Sequence, residues 1–207
     1  LVAREGIPRL CFYHLIASGR GGELSSLVLS HEQTRQALDT IMDRTAGLRA
    51  TGKDVEVLTV ANHADGPYLY LRLLREQPEQ ARQALELLRR NGGNRSGIGI
   101  ACVSWDGAVH PDQFWRTQIL GNVRQRPFSE IWSDPEQPLL AALRDRRAHL
   151  QGRCLRCRWL DVCNGNLRAR AEAATEDPWG DDPGCYLTDE EIAPAETAEA
   201  VSEGNQC

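Results

Sequence analysis

Apolar and polar positions divide the chain into two textures. Arg9 to Ala17 (RLCFYHLIA) is a mostly apolar run rich in strand formers, closed by the loop signal Ser18-Gly19-Arg20-Gly21-Gly22, and predicts a buried strand. Ser30 opens S-H-E-Q, a capping box with Gln33 at the third helical position. Leu38, Ile41, Met42, Thr45 and Leu48 follow at helical spacing, so a helix is expected over 31–50. Val55 to Ala61 (VEVLTVA) predicts a second strand, ended by Asn62-His63-Ala64-Asp65-Gly66-Pro67. Helical patterns then cover Tyr68 to Glu76 and Pro78 to Arg90, with Pro78 at the permitted first turn and Asn91-Gly92-Gly93-Asn94 as the stop.

Strand, helix, strand, helix in this order is the mark of parallel β/α units with right-handed crossovers. Two strands cannot bury both faces of a sheet, so residues 1–97 are expected to be the end of a larger α/β barrel or sheet whose beginning is absent; the chain also lacks a start methionine. After Gly97 the texture changes to short strands and turns. Ile98 to Trp105, Asp106-Gly107 and Ala108 to His110 predict a hairpin with positive φ at both turn residues. Phe128 to Trp132 reads as a short helix and Leu139 to Leu150 as a longer one, giving a small α+β domain over 98–190. Residues 191–207 are acidic, and from Ala193 onward small, polar and aperiodic, the composition of a disordered tail.

Composition narrows the function. With 41% hydrophobic and 26% charged residues in 207, the chain has the balance of a soluble globular protein. It has no window near the roughly 18 apolar residues of a membrane span and no signal-peptide core, so a cytoplasmic location is expected. A net charge of -5 argues against a general nucleic-acid binder. The charge is uneven: eight arginines lie between Arg144 and Arg170, and eleven acids with no base lie between Glu172 and Gly204. That pattern is either a solvated terminus or an electrostatic partner for the basic island.

Of the seven cysteines, four are grouped as Cys154-x2-Cys157-x5-Cys163 followed by Cys185 after twenty-one residues. A Cys-x2-Cys pair presents two thiolates from one tight turn, and a folded-back loop can add Cys163 and Cys185; zinc and iron-sulfur clusters both accept four cysteines. Structural zinc more often uses two Cys-x2-Cys knuckles. The arginines around the first three cysteines suit the negative charge of a [4Fe-4S] cluster, which is the favoured reading. Cys11 reads as a small buried hydrophobe and Cys207 has no expected role. Cys102, in the hairpin strand, is core or a spare thiolate.

Together, Cys102, the Asp106-Gly107 hairpin, Gly121-Asn122-Val123, Ser129-Glu130-Ile131-Trp132 and the cysteines at 154, 157, 163 and 185 resemble the SPASM extension of radical SAM enzymes, which holds auxiliary [4Fe-4S] clusters. The resemblance implies that these four cysteines ligate one auxiliary cluster. A second auxiliary cluster is not expected, because His110-Pro111-Asp112-Gln113 and Leu167 stand where further cysteines belong. RLCFYHLIASGRGGEL, ANHADGPYLYLRLL, RRNGGNRSGIGIACVSWDG and GNVRQRPFSEIW are more narrowly similar to the haem d1 biosynthesis family. That likeness implies that residues 1–97 end an incomplete (β/α)6 radical SAM barrel. It implies too that the whole enzyme replaces two propionates of didecarboxysirohaem with oxo groups, using S-adenosylmethionine, a second [4Fe-4S] cluster and a reductant protein. The Cys-x3-Cys-x2-Cys motif that binds the SAM-cleaving cluster is not in these 207 residues, so the chain alone is expected to be inactive. Gly21-Gly22-Glu23 looks like the family's SAM-binding Gly-Gly-Glu, but that motif belongs to an early barrel strand and here reads as a turn.

Active sites of β/α barrels gather at the carboxyl ends of strands. Arg20, Asn62 and His63 follow the two strands and are the candidate cofactor-binding residues, Arg20 as a partner for a carboxylate of SAM or of the iron tetrapyrrole. The arginine island with Trp105, Trp115, Trp132 and Trp159 offers guanidinium partners and an apolar floor for that substrate, or is a solvated face beside ordinary core tryptophans. Two other readings remain open: a SPASM maturase acting on a peptide, and a non-catalytic four-cysteine zinc or electron-transfer module.

Overall fold

The first half of the chain folds around one parallel strand pair. The computed structural model describes residues 2–194, and all of their side chains except those of Ala3 and Arg20. A short helix α1 (Val2–Glu5) leads into β1 (Arg9–Tyr13), and β2 (Glu56–Val60) lies parallel to it, Arg9 opposite Glu56 and Tyr13 opposite Val60. Between them run a 3₁₀ segment (Gly19–Leu27) and α2 (His31–Ala50). α2 starts as its sequence dictates. The Gln33 N–H donates to Ser30 Oγ at 3.2 Å while Gln33 Oε1 accepts from the Ser30 N–H at 2.9 Å, satisfying donors that a helix start leaves unpaired. Two further helices follow, α3 (Asp65–Glu76) and α4 (Pro78–Asn91). Asp65 to Pro67, expected as loop, form the first turn of α3, where the missing proline N–H costs nothing.

β1 is shorter and more open than its composition predicts. The His14 N–H still donates to Val60 O at 3.0 Å, but Ala61 takes a φ of 72° and turns β2 away, so residues beyond His14 lose their ladder partner. Phe12 and Tyr13 of β1 and Leu58 of β2 are exposed, because nothing among the described residues covers that side of the pair. The fold is thus a mixed α/β arrangement.

The second half carries an antiparallel sheet of β3 (Cys102–Val103), β4 (Ala108–His110) and β5 (Gly121–Asn122), in that order. The hairpin is where the sequence places it, but its turn differs. The Ser104 N–H donates to Ala108 O at 2.8 Å, so three residues, Trp105 to Gly107, form the loop, and only Gly107 has positive φ (86°). After α5 (Phe128–Trp132), the helix expected over Leu139–Leu150 divides into α6 (Pro138–Arg144) and a 3₁₀ turn at Arg146–Ala148. The break has a cause: Arg146 turns inward and donates to the carbonyls of Leu143, Asn164 and Ser96, three acceptors that a continuous helix could not bring to one guanidinium. Four short helices complete the chain, α7 (Gly152–Arg156), α8 (Leu160–Cys163), α9 (Arg168–Thr175) and α10 (Asp189–Ile192).

The two halves share a core. Leu38, Ala64 and Tyr68 pack with Trp159, Val162, Tyr186, Leu187 and Ile192, so the end of the chain closes over α2 and α3. A second cluster joins Val109, Leu120, Ile131 and Leu140 beneath the small sheet. The expected start of a disordered tail at 191 therefore cuts through a folded helix. Thr188 and Glu191 cap α10 reciprocally, and Ile192 is buried. Residues 195–207, with Cys207, lie outside the described residues.

Candidate metal centre and adjoining cavity

Cys154 lies in α7, Cys157 just after it, Cys163 at the end of α8, and Cys185 in the loop before α10. Two acids bring these segments together. Asp181 Oδ1 accepts the N–H groups of Arg153 at 2.8 Å and Cys154 at 3.2 Å, fixing the start of α7. Asp182 is buried and accepts from Leu167 N–H at 3.0 Å, Gly184 N–H at 2.8 Å and the Arg170 guanidinium at 2.6 and 3.0 Å, which pins the Cys185 loop against α9. On the opposite side the Asn94 N–H donates to Cys163 O at 3.1 Å. Gly93 sits so close there that a Cβ would stand 2.3 Å from the Cys163 carbonyl carbon, which demands glycine.

All four cysteines line one small cavity of about 30 Å³, with Trp159 and Leu187 on its apolar side. Burial pushes the groups up, Cys185 to about 11, Cys163 well above the usual thiol range, and Cys154 and Cys157 in the same direction; neighbouring thiols add to this for Cys157, Cys163 and Cys185, and Asp181 and Asp182 for Cys154. Free thiols are therefore neutral here. The surroundings nevertheless suit sulfur that carries charge. Backbone N–H groups of Asp182, Trp159 and Leu187 point at Cys154, Cys157 and Cys185 respectively, the Trp159 contact being 3.4 Å. Arg168 is fully buried, its Nη2 lies 3.9 Å from Cys154 Sγ, and its Nε has no acceptor among the described residues. An anionic metal-thiolate group beside that orphaned N–H supplies what the protein alone does not, so the residues fit such a group. Among the described residues, no three cysteine, histidine, aspartate or glutamate side chains converge as one metal ion requires. Four cysteines around one cavity are the donor set of a four-iron cluster, with one iron per thiolate.

The other candidate residues separate. Asn62 is buried and held by protein on both amide atoms: its Nδ2 donates to Gly184 O at 2.8 Å, and its Oδ1 accepts from Ala64 N–H at 3.2 Å and Asn166 Nδ2 at 2.7 Å. It clips the end of β2 to the Cys185 loop, and its amide is already engaged by protein. His63 is held by its own N–H, which donates to Asn166 Oδ1 at 2.8 Å; burial and then Arg146 lower its ring to about 4. The side chain of Arg20 lies outside the described ones. Cys11 pairs with Leu58 across the parallel strands, and Cys102 pairs with His110 in the small sheet, both outside the four-cysteine cavity. The arginine island is not one surface. Arg146, Arg168 and Arg170 are buried on carbonyls and Asp182, Arg153 joins Asp189, and Arg144 meets Trp132 O. Nor do the tryptophans form a floor, since Trp115 and Trp159 are core and Trp105 is exposed.

A larger cavity of about 670 Å³ opens at the carboxyl ends of the strands, lined among others by His14, His31, Thr34, Asn62, Arg170 and Gly184. Its wall at Pro183–Gly184 continues directly into Cys185, so the two cavities are one peptide apart. His14 was missed in the sequence because the first strand was read through to Ala17, which hid a residue standing at a strand's carboxyl end.

Residues 96–158 match the SPASM iron-sulfur cluster-binding domain, which takes in Cys154 and Cys157. The chain is 58% identical over 93% of its length to the Fe-coproporphyrin III synthase of Methanosarcina barkeri. It is 39% identical over 92% to the pre-heme d1 synthase of Dinoroseobacter shibae, and 30% identical over 84% to the AdoMet-dependent heme synthase of Methanosarcina barkeri. It spans 49%, 48% and 46% of these relatives, about half of each. With a SPASM segment in place and Fe-coproporphyrin III, pre-heme d1 and AdoMet-dependent heme synthases among its relatives, the chain belongs to the radical SAM/SPASM proteins, within the heme-synthase family.

Proposed function

We propose that this chain is the auxiliary-cluster half of a radical SAM enzyme that alters carboxylate side chains of an iron tetrapyrrole. The observation that carries the reading is the shared wall, in which Pro183 and Gly184 border the 670 Å³ cavity while Cys185 borders the four-cysteine site. Residues 1–97 contribute the end of a (β/α)6 barrel and residues from 98 onward the SPASM domain, with α10 belonging to that domain. Cys154, Cys157, Cys163 and Cys185 hold the [4Fe-4S] cluster. When bound, it would supply one-electron transfer beside the substrate. The protein's own part is to keep that site dry and fixed, through the Asp182 loop anchor and the Asn62 clip. S-adenosylmethionine, its cleaving cluster and a reductant protein belong to the complete enzyme.

Identity refines the substrate reading: it is 58% to the Fe-coproporphyrin III synthase, against 39% to the pre-heme d1 synthase. The haem d1 product is therefore not the favoured one, and an iron porphyrin of the coproporphyrin type is. Incubating the complete enzyme with didecarboxysirohaem, S-adenosylmethionine and dithionite, and identifying the product by mass spectrometry, separates them. Fe-coproporphyrin III supports this reading, the dioxo product restores the d1 assignment, and no tetrapyrrole conversion defeats both.

A further inference from the structure

β1 ends at Tyr13, and the next residue, His14, lines the 670 Å³ cavity at the strand's carboxyl end. Its ring is held from behind. Nε2 lies 2.9 Å from Asp65 Oδ2, and the other oxygen of Asp65 accepts the Tyr186 hydroxyl at 2.7 Å. Asp65 and Tyr186 are both buried. With Nε2 carrying its proton toward a carboxylate, the lone pair of the imidazole is on Nδ1, which has no hydrogen-bond partner among the described residues. A histidine whose second nitrogen donates to an anchored carboxylate is how proteins fix the tautomer and raise the basicity of a metal ligand. The cavity falls within the roughly 300–1,000 Å³ of small-molecule sites.

We propose that His14 is the axial ligand offered to the iron of the tetrapyrrole substrate, an inference that rests on the substrate reading above. Nδ1 donates its lone pair to the iron, Nε2 keeps its proton on Asp65, and no electron is transferred in forming the bond. The ligation sets the depth and orientation of the macrocycle beside the Cys185 wall, while Asp65 and Tyr186 act as positioning residues. His31 lines the same cavity, but it is exposed and held only by Pro183 O at 2.8 Å, without a carboxylate behind it.

The test titrates the cluster-loaded chain with ferric coproporphyrin III and, in parallel, with metal-free coproporphyrin III. Visible and electron paramagnetic resonance spectra report iron ligation. His14→Ala is expected to weaken the iron porphyrin by about 10-fold or more, to lose the histidine-ligated spectrum, and to leave the metal-free porphyrin unaffected; added imidazole should restore the spectrum. His14→Gln, which keeps a donor toward Asp65, should behave as His14→Ala does, separating lost ligation from lost folding. Unchanged spectra and affinities in both variants overturn the ligation while leaving the substrate reading intact. A spectrum lost in His31→Ala and kept in His14→Ala overturns it in favour of His31. If neither porphyrin binds the unmodified chain, the substrate reading fails and the ligation with it.

Discussion

A side chain's job in this protein depends on whether its polar atoms are already spent. The four grouped cysteines form no disulfide, and burial keeps their thiols neutral until a bound metal displaces the proton. Cys154→Ala, Cys157→Ala, Cys163→Ala and Cys185→Ala should each lower bound iron sharply and lower the unfolding midpoint by a margin larger than an ordinary core truncation, whereas Cys11→Ala should keep its iron. Iron and sulfide analysis after anaerobic reconstitution, with urea unfolding, checks this; full iron in the Cys185→Ala protein would remove that residue from the set. His63 gives a pH-dependent counterpart. Its folded value of about 4 lies below the ordinary 6.5, so the unfolded chain takes up the proton first as pH falls. Its contribution is complete above about pH 6.5 and is lost as pH drops toward 4, by about 3 kcal/mol in all and about 2 kcal/mol of it by pH 5. Urea midpoints at pH 7 and pH 5 should differ less in His63→Gln than in the unmodified chain. Spacing made the cysteines legible in the sequence, but it cannot show that Asn62 would be consumed by Gly184 and Asn166, residues more than a hundred positions away.

At the scale of elements, local rules were read where they act locally. The S-H-E-Q box starts α2 at His31 and the Asp-Gly pair marks the hairpin, because both are decided within four residues. The errors came where a distant group decided the end of an element: Ser96 and Asn164 break the helix after Arg144 by drawing Arg146 inward, and the turn at Ala61 ends β1 early. The last helix shows how a small element can hold a site. α10 is capped by Thr188 and tied to α2 by the Arg35–Glu191 pair at 2.7 and 2.8 Å, and it follows Cys185 by four residues. Thr188→Ala should cost about 1 kcal/mol. It should also raise hydrogen exchange over residues 185–192, since those residues close the shared core. A cost confined to α10, with no change at Tyr186 and Leu187, would show that the helix is decoration and not a clamp.

Across the whole molecule, the shared core ties the four-cysteine site and the cavity into one body, and no helix among the described residues is long and apolar enough to cross a membrane. Reductive cleavage of S-adenosylmethionine needs a cluster with one iron open to the substrate, and a cluster held by Cys154, Cys157, Cys163 and Cys185 has every iron occupied by thiolate. The chain, cluster-loaded and reduced, should therefore bind tetrapyrrole yet release no 5′-deoxyadenosine. Incubation with S-adenosylmethionine and dithionite, followed by chromatography of the nucleosides, measures it against a blank without protein. Turnover above that blank would mean that one of the four thiolates is not a ligand and that its iron is open. Repeating the assay in the four alanine variants then identifies which, because removing a non-ligand leaves the activity and removing a true ligand abolishes it.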